Sequence, residues 1–196
     1  MSKQIVLIIP NLSFGGAQES FAKLSNELAV NYKVTNLVFN RDQIAPYSFS
    51  GELVSLDIPA SSNFLSKIYF FLLRIKRIRA VKKRVCPFCS ISFLEGANYV
   101  NVLSRVNEKV IVSVRGSKLL DQNITGLQGF IRKKVLLRLI YNKADNIVAL
   151  NDVIARELKD YFHIKKPISV LSNWYNVNEI NTKADLQLNL FEESIF

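Results

Sequence analysis

The sequence predicts an α/β protein built on a single doubly wound parallel sheet of about seven strands. Three observations carry that expectation. The unbroken apolar run Ile5 to Ile9 is too short for a helix and rich in branched residues, so it reads as a strand buried on both faces. Short runs of this kind then alternate with longer helical patterns. No internal repeat, low-complexity tract or linker interrupts the alternation before residue 180.

Taken in order, Pro10 and Asn11 stop the first strand. Gly15-Gly16 then opens an amphipathic helix with Phe21, Leu24 and Leu28 on one face. Lys33 to Phe39 is a second strand, followed by a polar loop from Asn40 to Gly51 broken by Pro46. Glu52 to Asp57 is a third strand, closed by Pro59. Phe88–Phe93, Val110–Val114, Asn146–Leu150 and Ile168–Leu171 are four more. Helical patterns lie between them at Phe64–Arg84, Gly96–Arg105, Gly126–Asn142 and Asp152–Phe162. Thr182 to Phe196 has weak helical character and no strand after it.

Hydrophobic residues make up 49% of the 196 and charged residues 21%, a globular composition. Apolar runs fall far short of the roughly 20 residues a membrane-spanning helix needs. The N-terminal MSKQIVLIIP lacks a small-residue cleavage site and runs into the glycine turn, so it reads as the first strand of a cytoplasmic chain. Cys86 and Cys89 precede an apolar run that starts a strand, which is not how a redox C-x-x-C is placed. A zinc site would need two more ligands from a chain with one histidine, so the pair is expected to be two reduced, partly buried thiols with no metal.

The net charge of +10 implies an anionic partner. In the helix Phe64–Arg84, residues Phe64, Ile68, Phe71, Ile75 and Ile78 form an apolar stripe at alternating four- and three-residue steps, broadened by Tyr69, Phe70 and Leu73. Its second half carries Arg74, Lys76, Arg77, Arg79, Lys82, Lys83 and Arg84. The stripe suits a helix covering the sheet, and the cations suit an anionic bilayer surface. A second basic cluster is Arg132, Lys133, Lys134 and Arg138. Nucleic acid is disfavoured, because the aromatics fall on apolar stripes and no reading motif accompanies the charge.

The turn after the first strand is neither G-x-G-x-x-G nor G-x-x-x-x-G-K-[ST], which excludes the dinucleotide fingerprint and the phosphate loop of ATPases and GTPases. Gly15-Gly16 supports close backbone approach to a ligand at a helix N-terminus, with Glu19 in the first turn offsetting part of the positive potential. His163, in a loop between a helix and the last strand, reads as a surface residue. The binding candidates are polar residues at the carboxyl ends of strands: Asn11, Glu95, Arg115, Ser117, Asn151 and Asn173. Arg115 suits a phosphate or carboxylate. Each of these also suits ordinary loop capping.

The runs QIVLIIPNLSFGGAQES, ISFLEGANYV, VIVSVRGS and ADNIVALNDVIARELKDYFHIKKPISVLSNWYNVNEI together resemble the N-terminal domain of family-4 glycosyltransferases, the retaining enzymes of the GT-B fold. The resemblance covers nearly the whole chain. It implies the Rossmann-like N-terminal half of that fold over residues 1–180, with 181–196 a tail or the start of an interdomain linker and the second, donor-binding domain absent from this polypeptide. It implies transfer of a sugar from a nucleotide-sugar to a lipid-linked or surface saccharide, peripheral to the inner face of the plasma membrane and with no cofactor. Gly15, Gly16, Gln18, Asn11, Glu95, Arg115, Asn151 and Asn173 would then line the cleft for donor phosphate and acceptor, with the glycine turn facing the donor phosphates. The catalytic residues are not assigned, since VRGS stands where many members place a histidine. A separately encoded donor-binding half is an expected partner, and a non-catalytic membrane-docking or anion-binding module is the alternative.

Overall fold

The computed structural model describes residues 3–41, 47–60, 63–119 and 135–173. Among these residues seven strands form one fully parallel sheet in the order β3-β2-β1-β4-β5-β6-β7. They are β1 (Gln4–Ile9), β2 (Lys33–Val38), β3 (Glu52–Ser55), β4 (Cys89–Phe93), β5 (Lys109–Val114), β6 (Asn146–Ala149) and β7 (Ile168–Val170). The helices are α1 (Gly16–Ala29), α2 (Phe64–Val85), α3 (Glu95–Leu103), α4 (Arg138–Tyr141) and α5 (Asp152–Arg156). A π-helical turn, Glu157–Tyr161, continues α5. The expected fold class is therefore what the chain adopts.

β1 is the centre of the sheet. Ile5 pairs in register with Val34 of β2 on one side and Cys89 of β4 on the other. Its residues alternate between two cores. Ile5, Leu7 and Ile9 pack with Phe21 of α1, while Val6 and Ile8 pack with Ile78 of α2 and with Ala97 and Val100 of α3. A continuous apolar run is what a strand covered on both faces requires. Because β1 is followed by β2 on one flank and neighboured by β4 on the other, the winding reverses there. Its carboxyl end is the topological switch point, where open α/β sheets leave a crevice.

Several expected boundaries move by a residue or two. β3 ends at Ser55 rather than Asp57, because Asp57 takes a left-handed φ of 49° and accepts a 2.6 Å bond from the Ser55 hydroxyl. α2 ends at Val85, where Cys86 adopts φ 47° and its N–H reaches Lys82 O at 2.9 Å. Cys86 is exposed, so of the two expected half-buried thiols only Cys89 lies inside. Of the helix expected over Gly126–Asn142, residues 126–134 lie outside the described residues, as do Arg132, Lys133, Lys134 and the tail 181–196.

α2 divides the two readings of its sequence between its two ends. Phe70, Phe71, Leu73, Ile75, Ile78, Val81 and Val85 pack against the sheet. Toward the N-terminus, Phe64 (66% exposed), Leu65 (79%), Tyr69 (62%) and Leu72 (59%) do not. One cation expected on the basic surface is inside the protein: Lys82 is 1% exposed. Its Nζ lies 2.7 Å from Glu108 Oε1 and donates to Asn101 O and Oδ1 at 2.9 and 2.7 Å. The reason is position: Lys82 falls four residues past Ile78 on the buried face, and Glu108 supplies the counter-charge. Lys76, Arg79, Lys83 and Arg84 are exposed as expected. Arg74 and Arg77 are tied to the β3 exit, through Pro59 O and Leu56 O respectively. Among the described residues no helix is long and apolar enough to cross a membrane.

Candidate functional site

The carboxyl ends of β1, β4, β5 and β6 surround a cleft of about 570 Å³ lined by Gly16, Ala17, Leu94, Arg115, Lys118 and Asn173, among others. Its floor is the N-terminus of α1. The first intrahelical bond there runs from Glu19 N to Gly15 O (3.0 Å), and Gly15 N donates to the Tyr47 hydroxyl at 3.0 Å. The N–H groups of Gly16, Ala17 and Gln18 have no acceptor among the described residues, as the opening turn of a helix dictates. Nothing lies within 4 Å of where a Cβ on Gly16 would sit, so the backbone there is open to the cleft. Glu19 turns away and pairs with Lys23 at 2.8 Å, leaving the helix end electropositive.

The turn is braced from below. Asn11 Oδ1 accepts from the Ser13 hydroxyl (2.9 Å) and from Gln18 Nε2 (3.2 Å). Asn11 and Gln18 therefore shape the glycine turn and do not line the cleft.

Arg115 forms the opposite wall. Its guanidinium carbon lies 4.8 Å from the Phe93 ring centroid, and its Nη1 donates to Asn173 Oδ1 at 3.0 Å. Stacking on an aromatic face and one hydrogen bond fix the plane of the group. Its Nε is buried without a partner among the described residues. Burial lowers its pKa from the ordinary arginine value, though an arginine stays charged at any physiological pH. Asn173 Oδ1 also lies 2.9 Å from the Ser20 hydroxyl, so it ties α1 to the end of β5.

Two carboxylates outside the lining hold Lys118 and its loop in place. Glu95 is 7% exposed, accepts from the Tyr99 hydroxyl at 2.6 Å and lies 3.7 Å from Lys118 Nζ. Glu157 holds the loop after β5: its carboxylate accepts from the Ser117 hydroxyl (2.5 Å), Lys118 N (2.5 Å) and Leu119 N (3.0 Å). Asn151 stands apart as the N-cap of α5, accepting from Ile154 N at 2.9 Å. His163 is exposed and distant from the cleft lining. Among the described residues no group of three His, Cys, Asp or Glu side chains could hold a metal ion.

Of the expected site residues, Gly16, Arg115, Ser117 and Asn173 are thus brought together in the lining, whereas Gly15 and Glu95, like Asn11, Gln18 and Asn151, fall outside it. Leu94, Lys118 and Glu157 were not foreseen. Leu94 has φ 71° and ψ 151°, a region that glycine occupies almost alone, and it lines the cleft. Lys118 follows Arg-Gly-Ser directly, so the polar run after β5 was the signal that locates it.

No protein-family profile matches the chain, and no curated protein matches it in sequence. Solved structures do match. The chain is similar to a sucrose-phosphate synthase from Thermosynechococcus elongatus, with TM-score 0.69 and 11% identity, over 90% of this chain and 49% of that one. It is similar to the lipopolysaccharide outer core galactosyltransferase WaaB, with TM-score 0.58 and 14% identity, over 88% and 46%. It is also similar to a UDP-N-acetylglucosamine 2-epimerase from Rickettsia bellii, with TM-score 0.59 and 11% identity, over 88% and 45%. What these proteins share with the chain is the fold. The chain spans about half the length of each, so its sheet matches one Rossmann-like half of those structures.

Proposed function

We propose that the chain is the acceptor-side half of a glycosyltransferase of the retaining family-4 type. It would move a hexose from a nucleotide-sugar to a lipid-linked or surface saccharide during polysaccharide or glycolipid assembly. The observation that carries this reading is the convergence of the unpaired N–H groups of Gly16 and Ala17 with Arg115 and Lys118 across one open cleft. Breaking the bond between the sugar C1 and the diphosphate oxygen leaves negative charge on the diphosphate. Fixed donors and a helix N-terminus aimed at that charge stabilise it as it develops. The new bond forms between C1 and an acceptor hydroxyl oxygen, whose proton passes to the departing diphosphate. The half-length match to the solved structures supports a second, donor-binding half that closes the cleft from the other side.

The same reading gives α2 a surface role. Its exposed Phe64, Leu65, Ile68, Tyr69 and Leu72 lead into Lys76, Arg79, Lys83 and Arg84. Apolar side chains at the headgroup boundary with cations beside them suit an anionic bilayer at the cytoplasmic face. A docking module without chemistry would use this surface and leave the cleft empty.

The test is transfer itself. The chain is incubated with a donor-binding half, radiolabelled UDP-sugars and a lipid and saccharide extract. Label entering the lipid or saccharide fraction only when both halves are present is the expected result. Interconversion of UDP-sugars without transfer, as the epimerase similarity would allow, overturns it.

A further inference from the structure

On the other flank of β1 a second cavity, of about 320 Å³, opens at the carboxyl ends of β1 and β2. It is lined by Pro10, Asn11, Phe39, Asn40, Ile58 and Arg74. Its construction repeats that of the cleft. Arg115 stacks on Phe93 at the end of β4, and Arg74 stacks on Phe39 at the end of β2, each with its guanidinium carbon 4.8 Å from the ring centroid. β2 and β4 are the two neighbours of β1, so the two arginine–phenylalanine platforms flank the glycine turn. Arg74 is also held in plane: its Nη2 donates to Ile58 O (3.3 Å) and Pro59 O (2.8 Å). Its Nε has no partner and no carboxylate pairs with it among the described residues. A pre-oriented, half-buried guanidinium that lines a cavity, with neutral carbonyls as its acceptors and no carboxylate partner among the described residues, is suited to a planar or tetrahedral oxyanion.

We propose that this cavity is a second oxyanion site, holding the phosphate of a sugar phosphate through Arg74 with the sugar ring near Phe39 and Asn40. This rests on the transferase reading for its role: Arg115 would face the donor phosphates and Arg74 the phosphorylated acceptor, one on each side of the turn. The cavity volume lies at the low end of ligand pockets, roughly 300–1,000 Å³, which suits a single sugar unit. The phosphate could be carried by a soluble sugar phosphate or by a lipid headgroup, and the two are separable by experiment.

The full chain labelled with ¹⁵N-arginine is titrated with glucose 1-phosphate, with inorganic phosphate, and with short-chain phosphatidylglycerol. The Arg74 Nε–H signal is expected to move with glucose 1-phosphate at millimolar concentration, more weakly with inorganic phosphate, and not with phosphatidylglycerol. Arg74→Gln is expected to weaken glucose 1-phosphate binding at least tenfold, and Arg74→Lys less. Should Arg74→Gln fail to fold, Asn40→Asp places a carboxylate at the cavity and is expected to weaken binding similarly. Movement of Arg115 alone, or equal affinity in the folded variants, overturns the site. Movement with phosphatidylglycerol but not with glucose 1-phosphate overturns the sugar assignment. A persisting Arg74 response in a chain that supports no sugar transfer would sink the transferase reading and leave the oxyanion site standing.

Discussion

Gly16 has open space where a Cβ would sit, whereas at Gly15 the Gln18 Oε1 lies only 2.5 Å from that position. Gly16→Ala should therefore keep the fold and gain about 0.4–1 kcal/mol from the stiffer unfolded chain. It should also weaken binding of UDP, because the methyl stands where the phosphate must approach. Thermal unfolding and UDP titration of the variant check both parts together. Leu94 yields a sharper residue-level test. Its backbone strain is worth about 1–3 kcal/mol. Leu94→Gly relieves that strain while losing side-chain contact, whereas Leu94→Ala loses contact and keeps the strain. Leu94→Gly should thus be the more stable of the two, the reverse of the order at an unstrained site; denaturant midpoints decide it. Arg115 was legible from the sequence because strand-end polar residues are few and an arginine there has an obvious use. Leu94 was not, because nothing in Ser-Phe-Leu-Glu-Gly signals a left-handed backbone at a leucine.

At the level of elements, β1 and α1 were readable in outline because Ile5–Ile9 is continuously apolar and the glycine pair follows it. The direction of individual cations along α2 was harder to read, since neighbouring lysines and arginines look alike until a distant partner is known. Lys82 shows the difference: Glu108 lies in another segment, and only the fold brings it within 2.7 Å. Burial pulls the Lys82 ammonium down from 10.5 to about 8, partly offset by Glu108. Burial pushes the Glu108 carboxyl up, but Lys82 and the Val106 N–H outweigh it and leave the group below its ordinary 4.5. The signs follow. Between about pH 8 and 10.5 the unfolded chain binds the Lys82 proton that the folded chain has released, so the Lys82 contribution to stability rises with pH in that window, opposed above pH 9 by Cys89, whose thiol burial pushes up to about 11. Glu108 contributes stability above pH 4.5 that is lost as pH falls through its lower folded value. Lys82→Met should cost about 3–5 kcal/mol at neutral pH by stranding Glu108, and it should erase the alkaline rise. Replacing Lys76, Arg79, Lys83 and Arg84 by Gln should change stability by only about 0.5 kcal/mol each or less. That fourfold variant should lose flotation with anionic vesicles, whereas flotation unaffected by the change, or by salt, would remove the membrane role of α2.

For the whole molecule, the sheet order places the glycine turn between two cavities, and the matching solved structures place a sheet of this kind in one half of a longer protein. Fold alone does not settle chemistry, since a synthase, a galactosyltransferase and an epimerase all share it. What separates the functional reading from the fold is the local chemistry at the switch point. Basic residues gather elsewhere too: Arg156, Lys159, Lys165 and Lys166 line a cavity beside β7. Net charge therefore does not by itself direct an anion to the cleft. The most direct measurement is an amide titration of the ¹⁵N-labelled full chain with UDP-glucose, whose half-site affinity should be on the order of 1 mM, about −4 kcal/mol. Shifts concentrated at Gly16, Ala17 and Lys118 are expected. Shifts confined to Arg156, Lys159, Lys165 and Lys166, with the glycine turn unmoved, would contradict the cleft reading.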